Sequence, residues 1–351
     1  MENSINTNQH PESTGTPAAG KTMAAAVRDV YGTPDVLRVE NTAVPAVAED
    51  QVLVRVVSSS VNPAEWHILT GTPYLARLQY GLRRPKRPNL GADIAGIVVA
   101  VGSSITEFAT GDEVFGETWG AYAEYAVAKE KALTHKPANV TFAEAGSVAI
   151  GAFTALQGLR NHGGIESGSR VLVNGASGGV GTFAVQIAKA LGAEVTAVCS
   201  TRNVAMVTSL GADRVIDYTA EDFVADGHSY DLVLDTVGNR SIFESRSLLA
   251  PNGVYVGVGG PKRTLSLLGR MAGQAIVSLF GKRKMRSMLA KVDKDDLEFL
   301  SQLLESGQVR PVIDRTYSLN DVADALRHQG EGHAQGKTII TIDDTQTRKE
   351  G

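Results

Sequence analysis

Apolar residues in the middle of the chain fall into short continuous runs separated by segments of helical period. Arg170 to Val173 is a β-branched apolar run of the kind that forms a strand buried on both faces. From Val180, apolar positions recur at Phe183, Ala184, Ile187, Ala188 and Leu191, the spacing of one helical face. Gly192 closes that helix, and 193–199 (AEVTAVC) supplies a second strand. The segments 213–218 (DRVIDY), 230–238 (YDLVLDTVG) and 253–260 (GVYVGVGG) read as three more. Five strands alternating with helices or loops predict an α/β fold, a doubly wound parallel sheet with its ligand at the C-terminal strand ends.

The first βα turn, Ala176-Ser177-Gly178-Gly179-Val180-Gly181, lies between a predicted strand and a predicted helix. In that setting a glycine loop points to a dinucleotide site. Gly178 lets the backbone approach a pyrophosphate, Gly181 lets the helix pack closely on the strand, and the helix amides face the phosphates. Alanine, Ala176, stands at the first glycine of the usual fingerprint. An NAD-selective site would carry Asp or Glu at the end of the second strand, whereas this strand ends in Cys199-Ser200-Thr201-Arg202. Hydroxyls and a guanidinium suit the 2′-phosphate of NADPH. No G-x-S-x-G elbow accompanies Ser177, which reads instead as a phosphate or ribose contact.

Bulk properties narrow the picture. At 351 residues two domains are expected. Residues 1–22 are polar and read as a disordered leader, with the structured chain starting at Met23. There is no apolar secretory stretch, and the first basic residue is Lys21, unlike a mitochondrial presequence. Cys199 is the only cysteine and the seven histidines show no ligand spacing, so no disulfide framework or thiolate zinc cluster is expected. A cytoplasmic setting is compatible with this. The net charge of −4 gives no general pull toward nucleic acid or anionic membrane. The basic runs 81–88 (GLRRPKRP) and 281–287 (GKRKMRS) read as solvated loops, and neither nucleic acid nor membrane is expected as a partner.

Longer motifs go further. The stretches SSVNPAEWHILTG (59–71), LGADIAGIVVAVG (90–102), GDEVFGE (111–117), 122–156 and GHAQGKTIITI (332–342) flank the glycine loop. With it they resemble the zinc-independent, quinone oxidoreductase (zeta-crystallin-like) branch of the medium-chain dehydrogenase/reductase superfamily. The resemblance implies a GroES-like β-barrel catalytic domain over 23–146, a Rossmann domain over 147–292, a return to the first over 293–343, and a tail at 344–351. The zinc-containing branch has a Cys where this chain has Asn62, and a His-Glu pair where it has Ala92-Asp93. Its four-cysteine lobe has no counterpart here.

The expected activity is NADPH-dependent reduction of a small electrophile, a quinone or activated alkene or carbonyl, by direct hydride transfer. A non-catalytic NADPH-binding sensor or scaffold would share the same loop. The resemblance assigns Asn62 to the nicotinamide ribose or substrate oxygen and Tyr74 to a hydrogen bond toward the substrate. It sets Thr154, Val258, Gly259 and Gly260 near the nicotinamide, Tyr218 beside the adenosine phosphate, and Gly336 and Lys337 in a segment closing over the cofactor. It also implies a homodimer, with AIVSLFG (275–281) as an edge strand pairing with its copy.

Overall fold

The computed structural model describes residues 20–225, 227–258, 269, 272–274, 276–279, 281–332 and 334–343. The chain opens with β1 (Thr22–Val27) antiparallel to β2 (Arg38–Ala43). The long strand β3 (Gln51–Val61) organises the first domain, because it pairs with three others. Its sheet also holds β4 (Asp93–Val101), β5 (Glu113–Glu117), β6 (Tyr125–Lys129) and β7 (Leu133–His135). Buried valines of β3 feed two apolar clusters, so it is covered on both sides. Between β3 and β4 the chain forms α1 (Pro63–Thr70) and the short α2 (Arg77–Tyr80).

The helices α3 (Phe142–Ala145) and α4 (Ala149–Leu156) lead into a second sheet. Its strands are β8 (Arg170–Asn174), β9 (Glu194–Cys199), β10 (Arg214–Asp217), β11 (Tyr230–Asp235), β12 (Leu249–Gly257) and β13 (Lys284–Ser287). All five pairings are parallel, in the order β10-β9-β8-β11-β12-β13. The order therefore reverses between β8 and β11, and ligands gather at such a switch. The helix α5 (Gly179–Ala190) follows β8, with Phe183, Ala184, Ile187 and Ala188 fully buried as their spacing requires. The helix Lys294–Glu305 puts Leu297, Leu300, Leu303 and Leu304 into the same core as α4 and α5.

Finally β14 (Ile313–Ser318) and β15 (Lys337–Thr341) return to the first sheet, where β15 runs antiparallel to β3 with Thr338 opposite Val61. That register sets Lys337 beside Asn62.

Two expectations shift. β1 begins at Thr22, one residue before Met23, and residues 1–19 and 344–351 lie outside the described residues. The described residues of 275–281 do not form an edge strand: Ile276, Val277 and Ser278 are helical, and β13 forms the edge. Being β-branched did not decide the matter, because Val277 packs down onto the sheet's own core. The edge that remains exposes Lys284 and Arg286, a charge pattern that resists edge-to-edge pairing.

Candidate active site

A cleft of about 550 Å³ lies where the two sheets meet, within the usual range for cofactor pockets. One wall is the βα loop. Gly175 supplies the left-handed turn (φ +84°), a job that the usual fingerprint's first glycine would do and that Ala176 cannot. A Cβ on Gly178 would face open space, with Gly175 O the nearest atom at 3.6 Å. A Cβ on Gly181 would instead stand 2.1 Å from Gly175 O and 2.7 Å from Ala176 Cα. The first glycine leaves room for a ligand, and the second lets helix and loop touch. The opening amides of α5 have no intrahelical acceptor, and the helix dipole adds partial positive charge there. Gly336 N–H donates to Ser177 O at 2.8 Å, fastening the C-terminal segment across the loop.

At one end the cleft is lined by Ser177, Ser200, Arg202, Asn203 and Tyr218. Asn203 Nδ2 donates to Ser177 Oγ (2.8 Å) and Ser200 Oγ (3.2 Å), while its buried Oδ1 has no protein partner. An orphaned acceptor in a buried wall is what a ligand's hydroxyl or amine would satisfy. Thr201 does not line the cleft. It shares a hydrogen bond with Thr219 (2.8 Å) and bonds Asp217, whose carboxyl is held below the usual range by Thr201 first and Thr219 next.

The other end rests on a buried polar cluster. Arg28, itself buried and lowered to about 10 by desolvation, donates to Ile68 O (2.6 Å) and Leu69 O (2.7 Å) and so fixes the C-terminal turn of α1. At the other end of α1, Asn62 N–H donates to Glu65 Oε2 at 2.7 Å. Asn62 Nδ2 donates to Asp93 Oδ2 (3.0 Å) and more distantly to Glu65 Oε1 (3.4 Å), and its Oδ1 accepts from Lys337 Nζ. Lys337 Nζ also donates to Asp93 Oδ2 at 3.0 Å, and both side chains are nearly inaccessible. Asp93 Oδ1 accepts from Ile150 N at 2.7 Å. Lys337 thus bridges the cofactor loop, where a Cβ on Gly179 would meet its Cδ at 2.9 Å, and the floor of α1.

The cluster holds more carboxyls than cations, and burial shows it. Desolvation, then the Asp93 charge, pushes Glu65 up to about 7; the same two causes in the same order bring Glu117 to about 7. Each raised pKa lies above the value in the unfolded chain. The folded state therefore keeps protons that the unfolded state releases, and stability present below about 4.5 is lost as pH rises through 7. Replacing Glu117 with glutamine is expected to stabilise the protein by about 1–2 kcal/mol at pH 8 and to change little at pH 5. Urea titrations at the two pH values measure it; equal effects would refute the assignment.

Of the expected site residues, the cleft gathers Asn62, Ser177, Gly178, Gly179, Val180, Ser200, Arg202, Tyr218, Gly336 and Lys337. Ala176 is buried behind the loop and Thr154 bonds Ile150 O (2.7 Å) outside the lining. Val258 packs against the core and its N–H bonds Asp235 O (2.9 Å); Gly259 and Gly260 lie outside the described residues. Tyr74 is not brought to the cleft: it is 67% exposed, with Arg77 over its ring. Asn62 is 3% exposed with both amide hydrogens engaged, which leaves it an acceptor toward ligand rather than a donor.

The sequence reading missed Asn174, Asn203, Thr236 and Asn239 as lining residues; Trp66 and His67 line the cleft as well. His67 has its Nδ1 donating to Thr72 O at 2.7 Å. Its place one turn into α1 after Asn62 was the available signal. Asn174, at the end of β8, donates to Asp235 (2.9 Å) and Asn239 (3.1 Å), which only the strand pairing brings near.

A parallel sheet with this loop, facing a mostly antiparallel sheet across a cleft, defines a dinucleotide-binding oxidoreductase of the medium-chain type. The chain belongs to the quinone oxidoreductase family of medium-chain dehydrogenases/reductases. Residues 48–138 match the alcohol dehydrogenase GroES-like domain and 210–340 the zinc-binding dehydrogenase domain. It is 35% identical over 343 residues to the chloroplast envelope quinone oxidoreductase homolog of Arabidopsis thaliana, spanning 92% of this chain and 99% of that one. It is 34% identical over 331 residues to 2-methylene-furan-3-one reductase of Solanum lycopersicum (88% and 76%). The quinone oxidoreductase structure from Coxiella burnetii superposes with a TM-score of 0.82 at 30% identity, over 92% of this chain and all of that one.

The metal named in the second domain's description finds no suitable donor set among the described residues. Asn62 and Asp93 are committed to the Lys337 ammonium, Ala92 has no ligating atom, and no group of three or more His, Cys, Asp or Glu among the described residues fits a metal ion. Nor, among those residues, is any helix long and apolar enough to cross a membrane.

Proposed function

We propose that this protein is an NADPH-dependent, zinc-independent reductase of quinones or other activated alkenes and carbonyls. The observation that carries the reading is the Lys337 ammonium seated among Asn62 and Asp93, a protein cation where the zinc-containing branch has ligands. Gly178 and the first amides of α5 would hold the pyrophosphate, Ser200 and Arg202 the 2′-phosphate, and Asn62 with Lys337 the nicotinamide ribose. The bound nucleotide supplies the hydride. Asp217, one strand beyond the position of an NAD-type acid, is engaged by threonine hydroxyls, so it does not stand as a free competitor of a phosphate. The chain's own part is to orient the reactants and exclude water, and the proton arrives from water or through His67.

The test is NADPH oxidation with an ortho-quinone, a para-quinone and a 2-alkenal in the presence of a chelator. Turnover that survives chelation supports the reading. Bound NADPH with no acceptor consumed would favour a sensor instead. Arg202→Glu is expected to reverse the preference for NADPH over NADH, by about tenfold or more; an unchanged ratio would remove Arg202 from the phosphate site. A homodimer and cytoplasmic residence complete the proposal, and sedimentation equilibrium and cell fractionation examine them.

A further inference from the structure

The segment after α1 carries a surface that the cleft does not use. Its inner side is fastened to the barrel. Tyr80 stacks on Trp119 with ring centroids 5.8 Å apart, the Tyr31 hydroxyl donates to Gly81 O at 2.6 Å, and Arg77 Nε donates to Gly71 O at 3.0 Å. With that side held, Leu75, Leu78 and Leu82 stand 45%, 64% and 67% exposed. Leu75 and Leu78 stand three apart along the helical stretch, and Leu82 follows just past its end at Gly81.

Exposed cations follow at once: Arg83, Arg84, Lys86 and Arg87. Arg87 lies over the Trp119 ring, and none of the four pairs with a carboxylate among the described residues. No Asp or Glu occurs anywhere between Glu65 and Asp93, in a chain whose net charge is −4. Charge alone would leave a solvated loop. Three solvated leucines beside it change the reading, since exposed apolar area rimmed by one sign of charge marks an interaction surface.

We propose that residues 74–88 dock the protein on an anionic lipid surface, the leucines entering the headgroup boundary and the cations meeting lipid phosphates. Short aliphatic side chains among Arg and Lys suit that boundary. A polynucleotide would call for several free aromatic rings, whereas Tyr80 and Trp119 are spent on each other and the one exposed ring of the segment, Tyr74, is covered on one face by Arg77. Thr72, at the start of the segment, holds His67 in the cleft wall, so the docked face adjoins the rim of the cleft. If the reductase reading holds, an apolar acceptor dissolved in the bilayer enters there; the docking itself does not depend on that reading.

Sedimentation of the full chain with phosphatidylcholine vesicles, with and without about one-third phosphatidylglycerol, tests this. Binding is expected to be about tenfold stronger on the anionic vesicles and to fall steeply at about 0.5 M salt. Leu78→Ser with Leu82→Ser should weaken it about tenfold with all four cations in place. Unchanged NADPH binding by that variant shows that the fold persists. Equal sedimentation on both vesicle types, or full binding by the leucine variant, would overturn the proposal. So would vesicle-free self-association that the leucine variant loses, or displacement from vesicles by a single-stranded polynucleotide at equal phosphate.

Discussion

Replacing Lys337 with methionine is expected to destabilise the protein by about 3–5 kcal/mol and to abolish turnover. The side chain is 2% exposed, its ammonium is shared by Asp93 and Asn62, and Glu65 lies close enough for its charge to register. Methionine fills a similar volume, so the loss is not a cavity effect. What remains is a buried carboxylate with no cation, beside a second acid already pushed up to about 7. Asp93→Asn in the Lys337→Met background removes that orphaned charge. The double variant should recover about half or more of the lost stability, with turnover still absent, because the ammonium that contacts Asn62 is gone. Urea unfolding of the four proteins in the cycle measures the coupling. Additive losses would mean that the two groups do not act as a pair, and full turnover in either Lys337 variant would remove Lys337 from the active site.

Gly178→Asp is the second large effect, and it falls on binding rather than folding. Gly178 caps α5 in an extended conformation with no side chain to receive the helix amides. Aspartate is a preferred residue there and meets nothing closer than Gly175 O at 3.6 Å, so the empty protein should be as stable as before or slightly more so. The new carboxylate would take the amides meant for phosphate and repel it, lowering NADPH affinity about 100-fold or more. Gly181→Ala should do the opposite. Its methyl would press on the loop backbone at 2.1 Å, costing about 1–3 kcal/mol, with the helix amides still open. Thermal unfolding without ligand and NADPH fluorescence titration separate the two. Wild-type affinity in Gly178→Asp would place the phosphates elsewhere.

Local pattern was enough for much of this molecule. The strand-loop-helix around the glycines, the buried face of α5 and the close packing at Gly181 are readable because each depends on residues a few positions apart. A period in the sequence becomes a face of the element. Two placements implied by the resemblance failed where the surroundings decided. Val277 is β-branched, yet it packs from a helix onto the sheet, and Tyr74 faces solvent instead of the cleft.

What the sequence by itself determined is therefore the parallel sheet, the dinucleotide loop and, through longer motifs, the family. Only the tertiary structure decided how the polar residues of the barrel are used. Lys337 reaches Asn62 across 275 positions because β15 pairs with β3, and Asp93 joins them because β4 pairs with β3 on its other side. No local period records such a meeting. Burial then raises the pKa of Glu65 and Glu117 and turns Asn62 from a donor into an acceptor, since the demands of a polar group are set by the neighbours that folding assigns to it.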